Sequence, residues 1–172
     1  MNDRYHFITR WRFRAAPDEV FAIISDPLDY PRWWPSVYLS MRELGPKRVR
    51  VVTRGWLPYK LRWDAETIEA QEPERLVIRA AGDFEGTGVW SLASDGDYTD
   101  VTFDWKIRAA KPLIRRLSFL LRPLFEANHR WAMEQGRISL ELELARSRAS
   151  TIGEMNTVPA APRGMRWRRE PA

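Results

Sequence analysis

The sequence predicts an α+β fold: a curved, seven-stranded antiparallel sheet wrapped around a long C-terminal helix, with two short helices between the first two strands. Three observations carry this. Apolar and polar residues alternate through seven segments between Tyr5 and Ala109. Turn chemistry separates most of those segments: Gly45-Pro46, Gly55 with Pro58, Glu72-Pro73, Gly82-Asp83 and Asp95-Gly96-Asp97. From Lys111 the apolar period changes from two to about 3.6 residues.

Taking the elements in order, Tyr5, Phe7, Thr9, Trp11 and Phe13 share one face of a first strand, with His6, Arg10, Arg12 and Arg14 largely on the other. Ala16-Pro17-Asp18-Glu19 then opens a short helix, with proline and two acids in its first turn. Val20, Phe21, Ile23 and Ile24 form its apolar side, and Asp26-Pro27 stops it. Leu28 to Trp34 reads as a second helical turn ending at Pro35. Strands follow at Val37–Glu43, Arg48–Thr53, Lys60–Ala70, Arg75–Ala81, Phe84–Ala93 and Thr99–Ala109. In the last of these, Val101, Phe103, Trp105 and Ile107 face one way and Thr102, Asp104, Lys106 and Arg108 the other.

The helical pattern runs from Lys111-Pro112 to about Leu144. Leu113, Leu117, Leu120, Leu121, Leu124, Trp131, Ile138 and Leu142 fall on one stripe, with Arg115, Arg122, Glu126, Arg130, Glu134, Arg137 and Glu141 opposite. Pro123 is expected to kink or restart this helix. Projected at 100° per residue, Asn128 and Gln135 lie within the apolar stripe and His129 at its edge. Beyond Ser147 the pattern gives way to Ser, Gly and Pro. Residues 1–146 are therefore expected to form one domain and 147–172 a flexible basic tail.

Composition narrows the function classes. The 172 residues are 44% hydrophobic and 30% charged, as in ordinary globular chains. There is no cysteine, which excludes disulfides, thiolate metal sites and cysteine nucleophiles. Two histidines, His6 and His129, give no ligand spacing, so no metal and no cofactor is expected. The net charge of +5 resides mostly in the tail, where six arginines after Ala145 face only Glu154 and Glu170. The rest is nearly neutral, so nucleic acid is not an expected partner of the domain. The first residues, Met1 to His6, show no apolar signal region, and the stretch Leu117–Leu121 is too short to cross a bilayer. A cytoplasmic location without a transmembrane segment is the expectation.

The order of strand, two short helices, six strands and long helix is that of the helix-grip fold. The segment Ala16-Pro17-Asp18-Glu19-Val20-Phe21-Ala22-Ile23-Ile24-Ser25-Asp26-Pro27, with Tyr30-Pro31-Arg32-Trp33-Trp34-Pro35, resembles the opening of the polyketide cyclase/dehydrase-like branch of the START-related (SRPBCC) superfamily. Gly88-Val89-Trp90-Ser91-Leu92, Thr99 to Trp105, and Asn128-His129-Arg130-Trp131-Ala132-Met133-Glu134-Gln135-Gly136 fit the same branch. The resemblance spans roughly residues 4–144. It implies a helix-grip domain whose relatives bind lipids, sterols or quinones, or cyclise polyketides, and fold alone does not select among these.

The nine tryptophans are the main functional clue. Trp63, Trp90 and Trp105 are expected to project from strands toward the long helix, where Trp131 meets them. Such rings either fill a core or wall a cavity for an apolar ligand. The expected ligand-binding set is Trp63, Trp90, Phe103, Trp105, Asn128, Trp131 and Gln135. An amide on an apolar stripe needs a partner, which can be backbone, water or a ligand carbonyl. Trp33-Trp34 is expected near the cavity mouth or plugged between short helices and sheet. Asp64 and Asp104, adjacent to tryptophans, should point outward. Gly82, Gly86 and Gly88 lead into no helix, so they read as bends or bulges rather than a phosphate loop. No paired carboxylate, no serine with a base and no activated lysine emerges, which leaves catalytic residues unassigned.

Three functions follow. The first is binding of a small hydrophobic or aromatic molecule (lipid, quinone or polyketide-like) between sheet and helix. The second is a cyclase or dehydratase acting on such a ligand. The third is an interaction module whose tail, Met165-Arg166-Trp167-Arg168-Arg169, docks an acidic surface, a membrane headgroup layer or RNA.

Overall fold

A computed structural model describes residues 4–110 and 112–165, without the side chains of 112–121. Strand β1 (Arg4–Phe13) is followed by helix α1 (Pro17–Ile24), a 3-10 turn at Pro27–Asp29 and the single turn α2 (Tyr30–Trp33). Six strands come next: β2 (Tyr38–Gly45), β3 (Arg48–Thr53), β4 (Leu61–Gln71), β5 (Arg75–Gly82), β6 (Phe84–Asp95) and β7 (Tyr98–Ala109). Helix α3 (Pro112–Ser147) and the short α4 (Ile152–Thr157) complete the chain. The expected helix-grip architecture is present, and each strand boundary lies within two residues of its predicted position.

The seven strands form one antiparallel sheet in the order β1-β7-β6-β5-β4-β3-β2. Hairpins join β2 through β7 in sequence, and β1 closes onto β7 with Phe7 opposite Trp105 and Trp11 opposite Val101. Register shifts at Tyr38/Ser40 and Glu43/Gly45 in the edge strand β2, and at Thr67/Glu69 in the interior strand β4, mark bulges, which bend strands locally. The glycine cluster does something different. Gly86 and Gly88 pair in continuous register with Ile107 and Trp105, and a Cβ at Gly88 would stand 2.7 Å from the Trp105 ring. Gly88 leaves room for a large ring to lie across the sheet, and of the expected bends or bulges no bulge interrupts the register at Gly86 or Gly88.

The short helices seal one side. Glu19 accepts from the Ala16 amide at 2.8 Å, and Asp26 accepts from Leu28 N at 3.2 Å, which starts α1 and the 3-10 turn. Val20, Phe21, Ile24, Tyr30, Trp33 and Trp34 are all buried by this arrangement. Trp33 is fully enclosed, so the plugging role holds for it. Arg32 bridges Asp29 and the buried Glu143 of α3, each at 2.5 Å, and Arg146 adds a bond to Glu143 at 3.1 Å.

The face that α3 turns to the sheet differs from the predicted stripe. The buried positions are Met133, Gly136, Ser139, Leu140, Glu143 and Leu144, whereas Leu124 is exposed and Trp131, Ile138 and Leu142 are only half-buried. Leu124 and Leu140 are about 160° apart on the helix. The predicted stripe follows the large apolar residues on both sides of Pro123, through which the helix continues. Small residues decide the contact instead: Trp34 lies on Gly136, where an added Cβ would overlap its indole. The stripe residues Leu113, Leu117, Leu120 and Leu121 lie outside the described side chains.

Within the segment after Ser147, α4 is capped by Thr151 and Glu154, whose backbone and side-chain groups bond reciprocally at 3.1 and 3.3 Å. Arg148 grips Glu19 at 2.7 and 2.8 Å and the Arg14 carbonyl at 3.0 Å. The chain then passes Ser36, and Arg54 donates to the Met165 carbonyl at 3.1 Å. The arginine cluster at 166–169 lies outside the described residues.

Candidate functional site

Large aromatic side chains stand on the concave face of the sheet because strand alternation puts them there. Trp90 on β6 is directly opposite Phe103 on β7, and their rings stack at 4.1 Å and 22°. Phe103 and Trp105, two residues apart on one strand, stack at 5.4 Å and 24°. Trp63 on β4 reaches across to Phe84 at 5.2 Å and Trp105 at 5.9 Å. The glycines of β5 and β6 between them present no side chain in the way. Trp63 Nε1 donates to Thr53 Oγ1 at 3.2 Å, which satisfies a buried N–H that would otherwise cost about 1–3 kcal/mol.

These rings do not fill the space beneath α3. A cavity of about 540 Å³ remains between sheet and helix, within the range of small-molecule sites. Trp63, Phe84, Trp90, Phe103 and Trp105 form its sheet wall, while Phe125, Asn128, His129, Ala132 and Met133 of α3 form its roof. It meets Tyr5, Tyr59 and Gly55 beside the β3–β4 loop, and its lining also includes the charged residues Asp26, Glu43, Lys47 and Arg48 and the apolar Leu28. The tryptophans are thus packed against one another and also bound a cavity.

The polar groups of the roof lie side by side. Asn128 Oδ1 accepts from the Leu57 amide at 3.2 Å, and its side chain lies so close to Gly55 that a Cβ there would overlap it. His129 stacks on Phe7 at 4.1 Å and 18°, and its Nε2 is buried without a hydrogen-bond partner. Burial lowers the His129 pKa to about 4, so the imidazole is neutral near pH 7. Burial likewise pushes the Tyr59 phenol up to about 12, with a smaller contribution from Tyr5. Outside the cavity, Asp64 holds Arg50 at 2.8 Å and Arg48 at 2.8 Å, and Asp104 pairs with His6 at 2.9 Å. Both acids therefore point away from the tryptophan face.

Of the predicted site residues, Trp63, Trp90, Phe103, Trp105 and Asn128 come together on the cavity wall. Trp131 and Gln135 do not line it, because the helix phase that placed them there is turned away by the Gly136–Trp34 contact. Phe7, Trp34, Tyr59, Phe84, His129 and Met133 line the cavity and were not in the predicted set. Phe7 was within reach of the sequence, since it alternates with Trp11 on the buried face of β1. Tyr59 was not, because it sits in the irregular β3–β4 loop. No group of three or more His, Asp or Glu among the described residues is arranged to hold a metal, and no described helix is long and apolar enough to cross a membrane.

The polyketide cyclase / dehydrase and lipid transport family model matches residues 7–141, which is most of the sheet and α3. The chain belongs to this family. Solved structures with the same fold are distant from this family member in sequence. TTHA0849 from Thermus thermophilus is 20% identical over 84% of this chain and all of its own, with a TM-score of 0.73. The Zhui aromatase/cyclase from Streptomyces sp. R1128 is 18% identical over 86% of this chain and 97% of its own, with a TM-score of 0.67. A norcoclaurine synthase from Thalictrum is 12% identical over 85% and 97%, at 0.61. At such identities the likeness is one of fold. No curated protein is similar in sequence.

Proposed function

We propose that this protein binds a small hydrophobic or aromatic molecule in the cavity between the sheet and α3. The carrying observation is the roughly 540 Å³ left beneath α3, walled by the buried side chains of Trp63, Trp90, Phe103 and Trp105. Apolar surface removed from water there contributes about 25 cal/mol per Å² toward binding. Native mass spectrometry of protein purified from its own host tests the reading: a retained small molecule supports it. Titration with naphthalene derivatives should quench tryptophan emission, and a flat response to every hydrophobic probe would count against the cavity as a binding site.

A cyclase or dehydratase reading draws on one observation, the neutral imidazole of His129 on the cavity wall, and on the aromatase/cyclase with the same fold. A base whose conjugate acid has a pKa of about 4 accepts a proton weakly at pH 7, which favours binding over proton abstraction by this residue. Turnover of a linear polyketone by wild type, lost in His129→Gln with ligand affinity kept, would favour the enzyme. Docking of an acidic surface by the tail is a separate proposal that rests on the arginines at 166–169 alone.

A further inference from the structure

Strand β1 is an edge of the sheet: β7 pairs with one side of it, and no described strand lies on the other. Its ten residues pair with β7 without a register shift, whereas the opposite edge, β2, is interrupted by two shifts. Bulges blunt an edge, and a long regular one leaves alternate backbone N–H and C=O groups to pair with another chain. A groove of about 260 Å³ lies at this edge, between Ile8, Thr9 and Arg10 of β1 and Arg130, Glu134 and Arg137 of α3. Residues 130, 134 and 137 share one helix face because they are spaced by four and three. Only Met133 lines both this groove and the cavity beneath α3.

The groove is basic. Arg137 is held by Glu134 at 2.8 Å and Glu141 at 3.2 Å, but Arg10 and Arg130 make no hydrogen bond or ion pair among the described residues. Elsewhere on β1, Arg12 is neutralised by Asp95 and Asp100. We propose that this groove takes an extended acidic peptide segment of a partner protein, added to the sheet as a strand beside β1. Side chains of an added strand alternate between the two faces of the sheet. Acids on one face come beside Arg10, and acids on the other come beside Arg130 of α3. Ile8, 49% exposed on the same face as Arg10, gives an apolar side chain of the peptide a neighbour. A second copy of this chain fits the edge poorly. Antiparallel pairing of two β1 strands about Ile8 sets Arg4 of each against Arg12 of the other, and like charges directly opposite repel. A phosphodiester backbone presents acceptors for the edge N–H groups but no donors for the edge carbonyls, whereas a peptide backbone supplies both.

Two labelled hexapeptides with charges on both faces test this, Glu-Val-Glu-Glu-Val-Glu and Lys-Val-Lys-Lys-Val-Lys, titrated into the full chain at low ionic strength by fluorescence anisotropy. The acidic peptide should bind at least about five times more tightly, as expected of weakly screened pairs to two arginines. Amide hydrogen exchange followed by NMR should then show alternate residues of β1 gaining protection, which side-chain attraction alone does not give. Arg10→Glu combined with Arg130→Glu should reverse the peptide preference and leave the melting temperature nearly unchanged. Equal affinity of the two peptides in wild type, or binding without protection of β1, overturns the proposal. Binding of neither overturns it too, and leaves the arginines as guards against edge pairing. Protection of β1 that appears without peptide and grows with protein concentration assigns the edge to a second copy, and tighter binding of an oligodeoxythymidylate assigns the groove to nucleic acid; either result overturns the peptide. Should the double variant not fold, the wild-type ranking and the exchange pattern decide the matter.

Discussion

The indole of Trp34 lies directly on Gly136, so that the shortest side chain in α3 faces one of the largest in the α2 segment. This contact sets the rotation of α3 and with it which residues look into the cavity. In an exposed helix, Gly→Ala adds about 1 kcal/mol of stability. At Gly136 the added methyl overlaps the indole, and overpacking costs about 1–3 kcal/mol. Gly136→Ala is therefore expected to lower the melting temperature, and an increase would show that α3 can shift without loss.

Ala132 is a small residue on the cavity roof. Ala132→Phe should fill part of the space and cut the affinity for naphthalene probes at least tenfold. The melting temperature should hold or rise, because added apolar contact replaces void. Differential scanning fluorimetry beside fluorescence titration checks both halves, and unchanged affinity would place binding elsewhere.

His129 gives an acid-sensitivity with a defined sign. Its pKa is about 4 in the folded chain against an ordinary 6.5, so the unfolded state binds the proton first as pH falls. Stability from this group is complete above pH 6.5 and is lost between 6.5 and 4. From pH 7.5 to 5 the loss is roughly 2 kcal/mol. Urea denaturation at the two pH values should show it in wild type, and His129→Gln should lose that much less.

Residues beyond Ser147 touch the body through Arg148 with Glu19, Arg54 with Met165 and the passage of Gly164 past Ser36. The Arg148–Glu19 pair is partly exposed, and such pairs are worth about 0–1 kcal/mol. Truncation after Ser147 is expected to lower the melting temperature by only a few degrees. Loss of cooperative unfolding would show that the segment packs as part of the core.

The sheet was legible in the sequence because a period of two is a local property: each strand reports its own buried face through residues such as Phe103, Trp105 and Ile107. The switch to a helical period near Lys111 is equally local. Those signals determined the element order, the strand limits, and the inward direction of Trp63, Trp90, Phe103 and Trp105. Tertiary structure decided the rest. Which face of α3 is buried depends on where a single ring, Trp34, finds a glycine in a helix some hundred residues away, so large aliphatics such as Leu124 were a poor guide and Trp131 and Gln135 were misplaced. Tyr59 and the Leu57 partner of Asn128 lie in a loop without periodicity. Whether the tryptophans filled a core or walled a cavity depended on volume, which is a sum over facing elements that no single segment contains.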